Sequence, residues 1–197
     1  MAKKKAKKKS TKKDVPLDFG TAFSYPFNRA KGMWNVLWVF FPIFGWFALG
    51  GYGVRLVKEF VDGKFEQLPL FSFKSDMKLG FFMFLKAIPF IIVYVVVFEV
   101  LKAISNGVGG FAEFLFGIFV IPILGINFMK KETVKSLFEF KIVNVVFENF
   151  KDYIVMFLKS VGLAIVFLIM MIVLVGIPAS LFTQNMFVAD FYRRKVK

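Results

Sequence analysis

Long apolar runs separated by short polar connections dominate the pattern of this chain. Each run is long enough for a helix to cross lipid, and each contains a proline, which removes a backbone hydrogen bond and bends a helix. The pattern therefore predicts an all-α integral membrane protein with four kinked transmembrane helices. These spans are expected at about 33–54, 79–104, 108–128 and 154–178.

The apolar stretch 179–192 follows Gly176-Ile177-Pro178 and allows two interpretations. It either extends the fourth helix beyond a kink or turns back as a re-entrant or fifth helix. The kinked extension, ending in a basic cluster, is the favoured prediction. The count of transmembrane helices is accordingly four or five.

Two further segments are predicted to be amphipathic helices lying at the membrane interface. In residues 15–32, Phe19, Phe23 and Phe27 recur at helical spacing, with Asp18 as the N-cap. Residues 130–152 alternate apolar with charged positions, although their central part, 140–147, also fits a strand.

Two short patterns occur twice in the same order. Pro42-Ile43-x-Gly45 is repeated around Pro122, and Met-Phe-Leu-Lys ends once at Lys86 and again at Lys159. The order indicates a tandem duplication of a helical hairpin, with two parallel repeats about an axis along the membrane normal. The alternative is coincidence within a strongly apolar composition.

The composition limits the chemistry that this chain can perform. Hydrophobic residues make up 58% of it, and it contains no cysteine and no histidine. Zinc sites built from these residues, histidine proton relays and Cys–His or Ser–His nucleophilic pairs are therefore excluded. We expect no metal, no cofactor and no catalytic residue, so the protein is predicted not to be an enzyme.

The net charge of +14 comes largely from the first fourteen residues, where eight lysines lie between positions 3 and 13. Such a block repels itself, which predicts a disordered tail over 1–14. The remaining residues, 15–197, contain the apolar runs and are predicted to form one transmembrane domain. The excess of basic residues predicts a multi-pass protein of the cell membrane with both termini cytoplasmic. Membrane lipids are the expected partners, and nucleic acid is the less favoured alternative.

Charged residues inside predicted spans are candidate functional residues, because burying them in lipid is costly. They are Lys86, Glu99, Glu113 and Lys159. The favoured interpretation is that lysines extend to the interface and that Glu99 pairs locally with Lys102. The alternative is a ligand or ion site, in which Lys86 and Lys159 face one axis and hold an anion such as a lipid phosphate.

A further set of short motifs is spread along the chain: Phe27, Trp34, Pro42-Ile43-x-Gly45, Gly51-Tyr52-Gly53-Val54-Arg55, Gly63, Leu68-Pro69 and the ending Ala189-Asp190-Phe191-Tyr192-Arg193. Together these motifs resemble a prokaryotic membrane family catalogued as domain of unknown function 4013. The resemblance covers roughly residues 15–193. It implies a multi-helix membrane fold, in some members with more than four helices, and it assigns no activity.

These patterns leave three classes of function open. The first is a non-catalytic helix bundle that acts as a scaffold, an envelope component or a partner- or lipid-binding subunit, as a homo-oligomer or in a larger membrane assembly. The second is a small transporter or channel subunit for ions, anions or lipids. The third, a membrane enzyme, is the least favoured, because carboxylates and lysines alone would carry the chemistry.

Overall fold

The computed structural model describes residues 15–196, and the predicted lysine-rich tail lies outside them. The described residues are helical, without a β-strand, so the strand alternative for 140–147 is wrong. Short 3₁₀ segments connect several helices, at Phe27–Arg29, Trp34–Phe40, Val134–Leu137, Phe140–Val143 and Met171–Val173. The α-helices are α1 (Phe19–Ser24), α2 (Ala30–Met33), α3 (Phe44–Val61), α4 (Phe73–Ile104), α5 (Asn106–Phe119), α6 (Ile121–Lys131), α7 (Asn144–Glu148), α8 (Phe150–Met170), α9 (Gly176–Thr183) and α10 (Met186–Lys195).

Two to three helices of this structure are long and apolar enough to cross a membrane. One is α4, and another is α8 together with its 3₁₀ continuation to Val173. The third is the pair α5 and α6, if both halves are counted as one span despite the 46° bend between them. These helices are consistent with the predicted membrane protein, whereas four or five transmembrane helices are not confirmed.

The first predicted span, 33–54, is not one helix. It is divided by a turn at residues 41–43, and α3 begins only at Phe44. Pro42 lacks an N–H group and disfavours a helical residue before it. Phe41 is accordingly extended, with φ −99° and ψ 91°, and Ile43 has φ 67°. The proline therefore ends the first segment instead of kinking a continuous helix.

Both ends of this divided segment return to the same connection, residues 64–72. Arg29, which precedes the divided segment, donates to the carbonyl oxygen of Leu68 at 2.6 Å. Tyr52, on the far side of the turn, donates from its hydroxyl to the carbonyl oxygen of Pro69 at 3.0 Å. The parts of the chain before and after the turn at residues 41–43 therefore both lead back to this connection.

The fourth predicted span also ends early, and the kinked extension of it is wrong. Leu174 adopts φ 63°, and the chain reverses there. An added Cβ on Gly176 would lie 2.0 Å from the carbonyl oxygen of Phe167, so α9 starts against the backbone of α8. Farther along, the rings of Tyr153 and Phe191 are 5.3 Å apart. Helices α9 and α10 thus run back along α8.

The predicted interfacial helix near the start is present but faces protein. Asp18 caps α1 by accepting a hydrogen bond from the N–H of Thr21 at 3.2 Å, as predicted. However, the ring of Phe19 stacks on Phe187, and that of Phe23 stacks on Phe167. The aromatic face of this segment is therefore packed against α8 and α10. The second predicted amphipathic helix is divided into two 3₁₀ turns and α7.

The described residues divide into a polar end and an apolar end. Helices α3, α6 and α10 pack against one another at the polar end, which we call the headpiece and define as residues 15–33, 52–78, 123–153 and 186–196. Large apolar side chains are exposed along the rest of α4, α5 and α8. An exposed apolar surface of this extent matches the lipid contact expected of a membrane protein.

Helices α3 and α4 approach each other closely where they cross. A Cβ added to Gly51 would lie 1.9 Å from the carbonyl oxygen of Asp76, and one added to Gly80 would lie 1.9 Å from that of Phe47. The nearby glycines Gly50 and Gly53 on α3 face open space. The two backbones therefore touch at a single pair of small residues.

We expect the substitution Gly51→Ala to lower the free energy of unfolding by about 1–3 kcal/mol, because its methyl group has no room between two backbones. Gly50→Ala is the matched control one position earlier, and it is expected to be neutral or stabilising by up to about 1 kcal/mol. Thermal unfolding of both variants in the same detergent measures the difference. Equal stability of the two variants would contradict the close crossing.

Candidate functional site

The two candidate glutamates meet around one lysine near the end of the α4–α5 hairpin. Lys102 Nζ lies 2.6 Å from Glu113 Oε2 and 3.3 Å from Glu99 Oε1. The hydroxyl of Tyr94 donates to the other oxygen of Glu113 at 3.0 Å. The predicted contact between Glu99 and Lys102 is therefore present, and the cluster holds two carboxylates against one ammonium.

Lys86 lies on α4 and reaches the end of α6. Its Nζ donates to the carbonyl oxygen of Glu132 at 2.8 Å. Glu132 ends α6 in the left-handed conformation, with φ 54°, and its carboxylate pairs with Lys58. An ammonium at a helix C-terminus satisfies a carbonyl left free there and complements the negative end of the helix dipole. The geometry accounts for Lys86 as a helix cap.

Lys159 lies on α8 and contacts a different part of the chain. Its Nζ donates to the carbonyl oxygen of Leu17 at 2.8 Å and lies 5.9 Å from the ring centroid of Phe187. The structure therefore gives Lys86 and Lys159 separate partners on separate helices and does not bring them together. A single anion site shared by both lysines is not what the geometry provides.

Sequence reasoning missed a carboxylate that holds both described ends of the chain together. Asp190, which is 2% exposed, accepts from the N–H of Leu17 at 3.0 Å. It also accepts from Arg193 at 2.5 Å and Arg194 at 2.9 Å. The spacing of three and four residues on α10 was the signal available in the sequence. The contact with Leu17 spans most of the chain and left no local pattern.

A second missed pair joins α3 to the start of α4. The guanidinium of Arg55 contacts both carboxylate oxygens of Asp76, at 2.6 and 2.7 Å. Asp76 is fully buried and also accepts from the N–H of Ser72 at 2.8 Å. A buried carboxylate needs such partners, because an unpaired charge there would be strongly destabilising. This pair lies beside the Gly51 contact and fixes the crossing of the two helices.

A polar network within the headpiece connects α6, α10 and the connection after α6. Asn127 donates to the carbonyl oxygen of Ser136 at 2.8 Å and to Glu139 at 2.9 Å. The hydroxyl of Tyr192 donates to the Asn127 side-chain oxygen at 2.8 Å. Asn127 therefore makes the hydrogen bonds between helices that its position in an apolar run predicts.

The charge of this network is fixed by Glu139. Lys131 and, more weakly, Asn127 donate to its carboxylate and hold the pKa of Glu139 below its ordinary value. Burial raises the pKa of the Tyr192 hydroxyl, with the Glu139 charge adding to the effect. Glu139 is thus ionised and Tyr192 is neutral at physiological pH.

Basic residues are concentrated at one end of the described chain. Apart from Lys86, Lys102 and Lys159, every lysine and arginine between residues 15 and 196 belongs to the headpiece. The opposite end, at the turn between α4 and α5, carries Lys102 with its two glutamates. The molecule is therefore polarised along the direction of its long helices.

Two small cavities open beside α8. One, of about 90 Å³, lies between α8, α10 and the segment before α1, and Lys159 lines it. The other, of about 240 Å³, lies between α8 and α9 and is lined by four polar residues, Ser160, Ser180, Thr183 and Gln184, together with apolar residues that include Phe167 and Phe187. Within residues 15–196, no three acidic side chains gather as a metal site would require.

No protein-family model, curated protein or solved structure matches this chain. The resemblance to the family catalogued as domain of unknown function 4013 therefore stays a prediction from its short motifs. The duplication also stays a prediction. The two halves do share one order of elements, in which a broken segment, a headpiece helix, a connection and a long apolar helix follow one another.

We expect Glu139→Gln to remove part of the acid sensitivity of folding. Because the pKa of Glu139 is lower in the folded state, its stabilisation is present above the ordinary value of 4.5 and is lost as the pH falls through the folded pKa. The variant should be less stable than the wild type at about pH 7 and should approach it at about pH 3. Thermal unfolding across this range checks the prediction.

Glu148→Gln, at an exposed position on α7, is the matched control and should leave the profile close to that of the wild type. If Glu139→Gln and the wild type show parallel profiles over the whole pH range, the network does not stabilise the headpiece as described.

Proposed function

We propose that this chain is a non-catalytic subunit of the cell membrane, a helix bundle whose headpiece binds lipid headgroups and partner proteins at the cytoplasmic face. One observation supports the proposal most directly. The candidate charged side chains inside the predicted spans are engaged with other groups of the same chain: Lys86 and Lys159 with backbone carbonyls, and Glu99 and Glu113 with Lys102. Such groups stabilise a bundle, whereas a conduction pathway requires polar groups that ions can reach.

The charge distribution supports the orientation. The headpiece carries the basic residues, and the positive-inside rule favours the cytoplasm for that end. Both described ends of the chain lie there, since Arg193 donates to the carbonyl oxygen of Val15 at 3.4 Å. The proposed topology thus keeps both termini cytoplasmic while assigning the α4–α5 turn to the outside.

A second candidate, a small transporter or channel subunit, is supported by the cavity between α8 and α9. Its hydroxyl and amide groups could accompany a polar solute at a break in the helices, where transporters commonly place binding sites. The cavity contains no charged lining residue, so a neutral solute is the class that it would favour. An assay of solute flux separates this candidate from the first.

The orientation can be tested by labelling, because the chain contains no cysteine of its own. Asn106→Cys, in the exposed α4–α5 turn, should react with a membrane-impermeant maleimide on intact cells. Asp62→Cys, exposed in the headpiece, should react only after the cells are opened. The reverse pattern would place the headpiece outside and remove the proposed cytoplasmic role.

The non-catalytic role predicts that lipid or another protein chain stays bound when the protein is extracted from the membrane. Extraction in mild detergent followed by native mass spectrometry should find the chain with retained lipid, a second copy or another membrane protein. The same preparation in liposomes should give no flux of ions or small neutral solutes above protein-free liposomes. A bare monomer that conducts would reject the proposal and favour the transporter.

A further inference from the structure

The cavity lined by Lys159 combines cationic groups with an apolar wall. Lys151, Lys159 and Arg194 lie around it, together with Leu17, Val155, Met156 and Phe187. Its volume of about 90 Å³ is several times the roughly 10–15 Å³ that a single water requires, so the cavity has room for a group larger than one water. The lining of the cavity is therefore complementary to an amphiphilic ligand with an anionic head.

The carboxylates at this cavity are already neutralised by other residues. Asp152 pairs with Lys195 at 2.6 Å and lies 4.0 Å from Arg194. Asp190 is held by both arginines of α10 and by the backbone of Leu17. Arg193, Arg194 and Lys195 exceed these two carboxylates by one positive charge, and Lys151 and Lys159 add two more. The local balance therefore favours an anion over a cation.

Lys159 has donor capacity for such an anion. An ammonium group carries three N–H donors, and the carbonyl of Leu17 accepts one of them. The ammonium of Lys159 also lies 5.9 Å from the ring centroid of Phe187, and both residues line the cavity. A charge-assisted hydrogen bond to a phosphate oxygen is among the stronger contacts that such a donor can make.

The position along α8 agrees with the depth of a lipid headgroup. The cavity is lined by the first turns of the apolar helix, where the headpiece begins. Val155 is 48% exposed and lines the cavity, and Leu158 beside it is 62% exposed. From the phosphate position, acyl chains could continue along this apolar face of α8.

We propose that this cavity binds the phosphodiester of an anionic membrane phospholipid, with Lys159 as the principal donor, Lys151 at its mouth and the acyl chains along α8. The site rests on the proposed membrane function and gives its lipid partner a chemical class. Of the two repeated lysines, only Lys159 contributes to this site, because Lys86 lies on α4 and caps α6.

The test titrates the purified full chain in detergent with three probes and measures binding by native mass spectrometry. Phosphatidylglycerol offers both phosphate and acyl chains, diacylglycerol offers the chains alone, and inorganic phosphate offers the anion alone. We expect one phosphatidylglycerol to bind most tightly and Lys159→Gln to weaken it about tenfold. The matched control Lys86→Gln, which removes a lysine with a similar carbonyl contact, should leave the affinity unchanged.

The outcomes separate the alternatives. Equal affinity of the wild type and Lys159→Gln, or equal losses in Lys159→Gln and Lys86→Gln, would overturn the site. Displacement of phosphatidylglycerol by inorganic phosphate at equal concentration would overturn the lipid assignment in favour of a free-phosphate site. Binding of diacylglycerol as tight as that of phosphatidylglycerol would remove the role of the anion.

Two further variants keep the test decisive if Lys159→Gln does not fold. Lys159→Arg retains the charge and should bind phosphatidylglycerol within a few-fold of the wild type. Lys151→Gln, at the mouth of the cavity, should weaken binding by less than Lys159→Gln is expected to do. If neither variant follows this order, the site is rejected. The proposed non-catalytic role is judged separately by the flux measurement, which does not depend on these lysines.

Discussion

The structure depends on satisfying polar groups from within the chain, because lipid offers none of the hydrogen bonds that water would supply. Each break in the apolar helices leaves backbone groups without their helical partners, and long side chains complete several of them. Lys86 caps the end of α6, and Lys159 binds the carbonyl of Leu17 beside α8. At the opposite end, Lys102 neutralises two glutamates at once. The lysines in the apolar helices therefore stabilise the folded chain.

The apolar runs predicted the membrane character and the longest helices but not the path of the chain. Helix α4 covers the whole of the second predicted span and continues as one helix through Pro89. The prediction of the first span as one helix was wrong, because hydropathy records how apolar a segment is and not which direction it takes. A turn of three residues, with Ile43 in an unfavourable backbone conformation, reverses it. The partner of Gly51 at the helix crossing, Gly80, lies on another helix and depends on the tertiary fold.

The same distinction between local and distant information applies to the candidate sites. Glu99 and Lys102 lie one helical turn apart, so their contact could be predicted from spacing. The partners of Lys86 and Lys159 are separated from them by 46 and 142 residues and could not be. Asp190 shows both cases, since its arginines follow on the same helix whereas Leu17 comes from the other end. Residue type indicated where charge would matter, and tertiary packing decided what each charge contacts.

The doubled-back segment before and within α3 has a consequence for the surrounding bilayer. The farthest ring-to-ring contact of this segment along α4 joins Phe47 and Phe84, at 5.6 Å, while α4 continues for twenty further residues. In the proposed orientation, this segment occupies the inner leaflet and leaves the outer leaflet to fewer helices. A body of such tapered cross-section displaces more lipid from one monolayer than from the other. Crowded in one patch of membrane, many copies would favour curvature, with the monolayer that holds the broader end on the convex side.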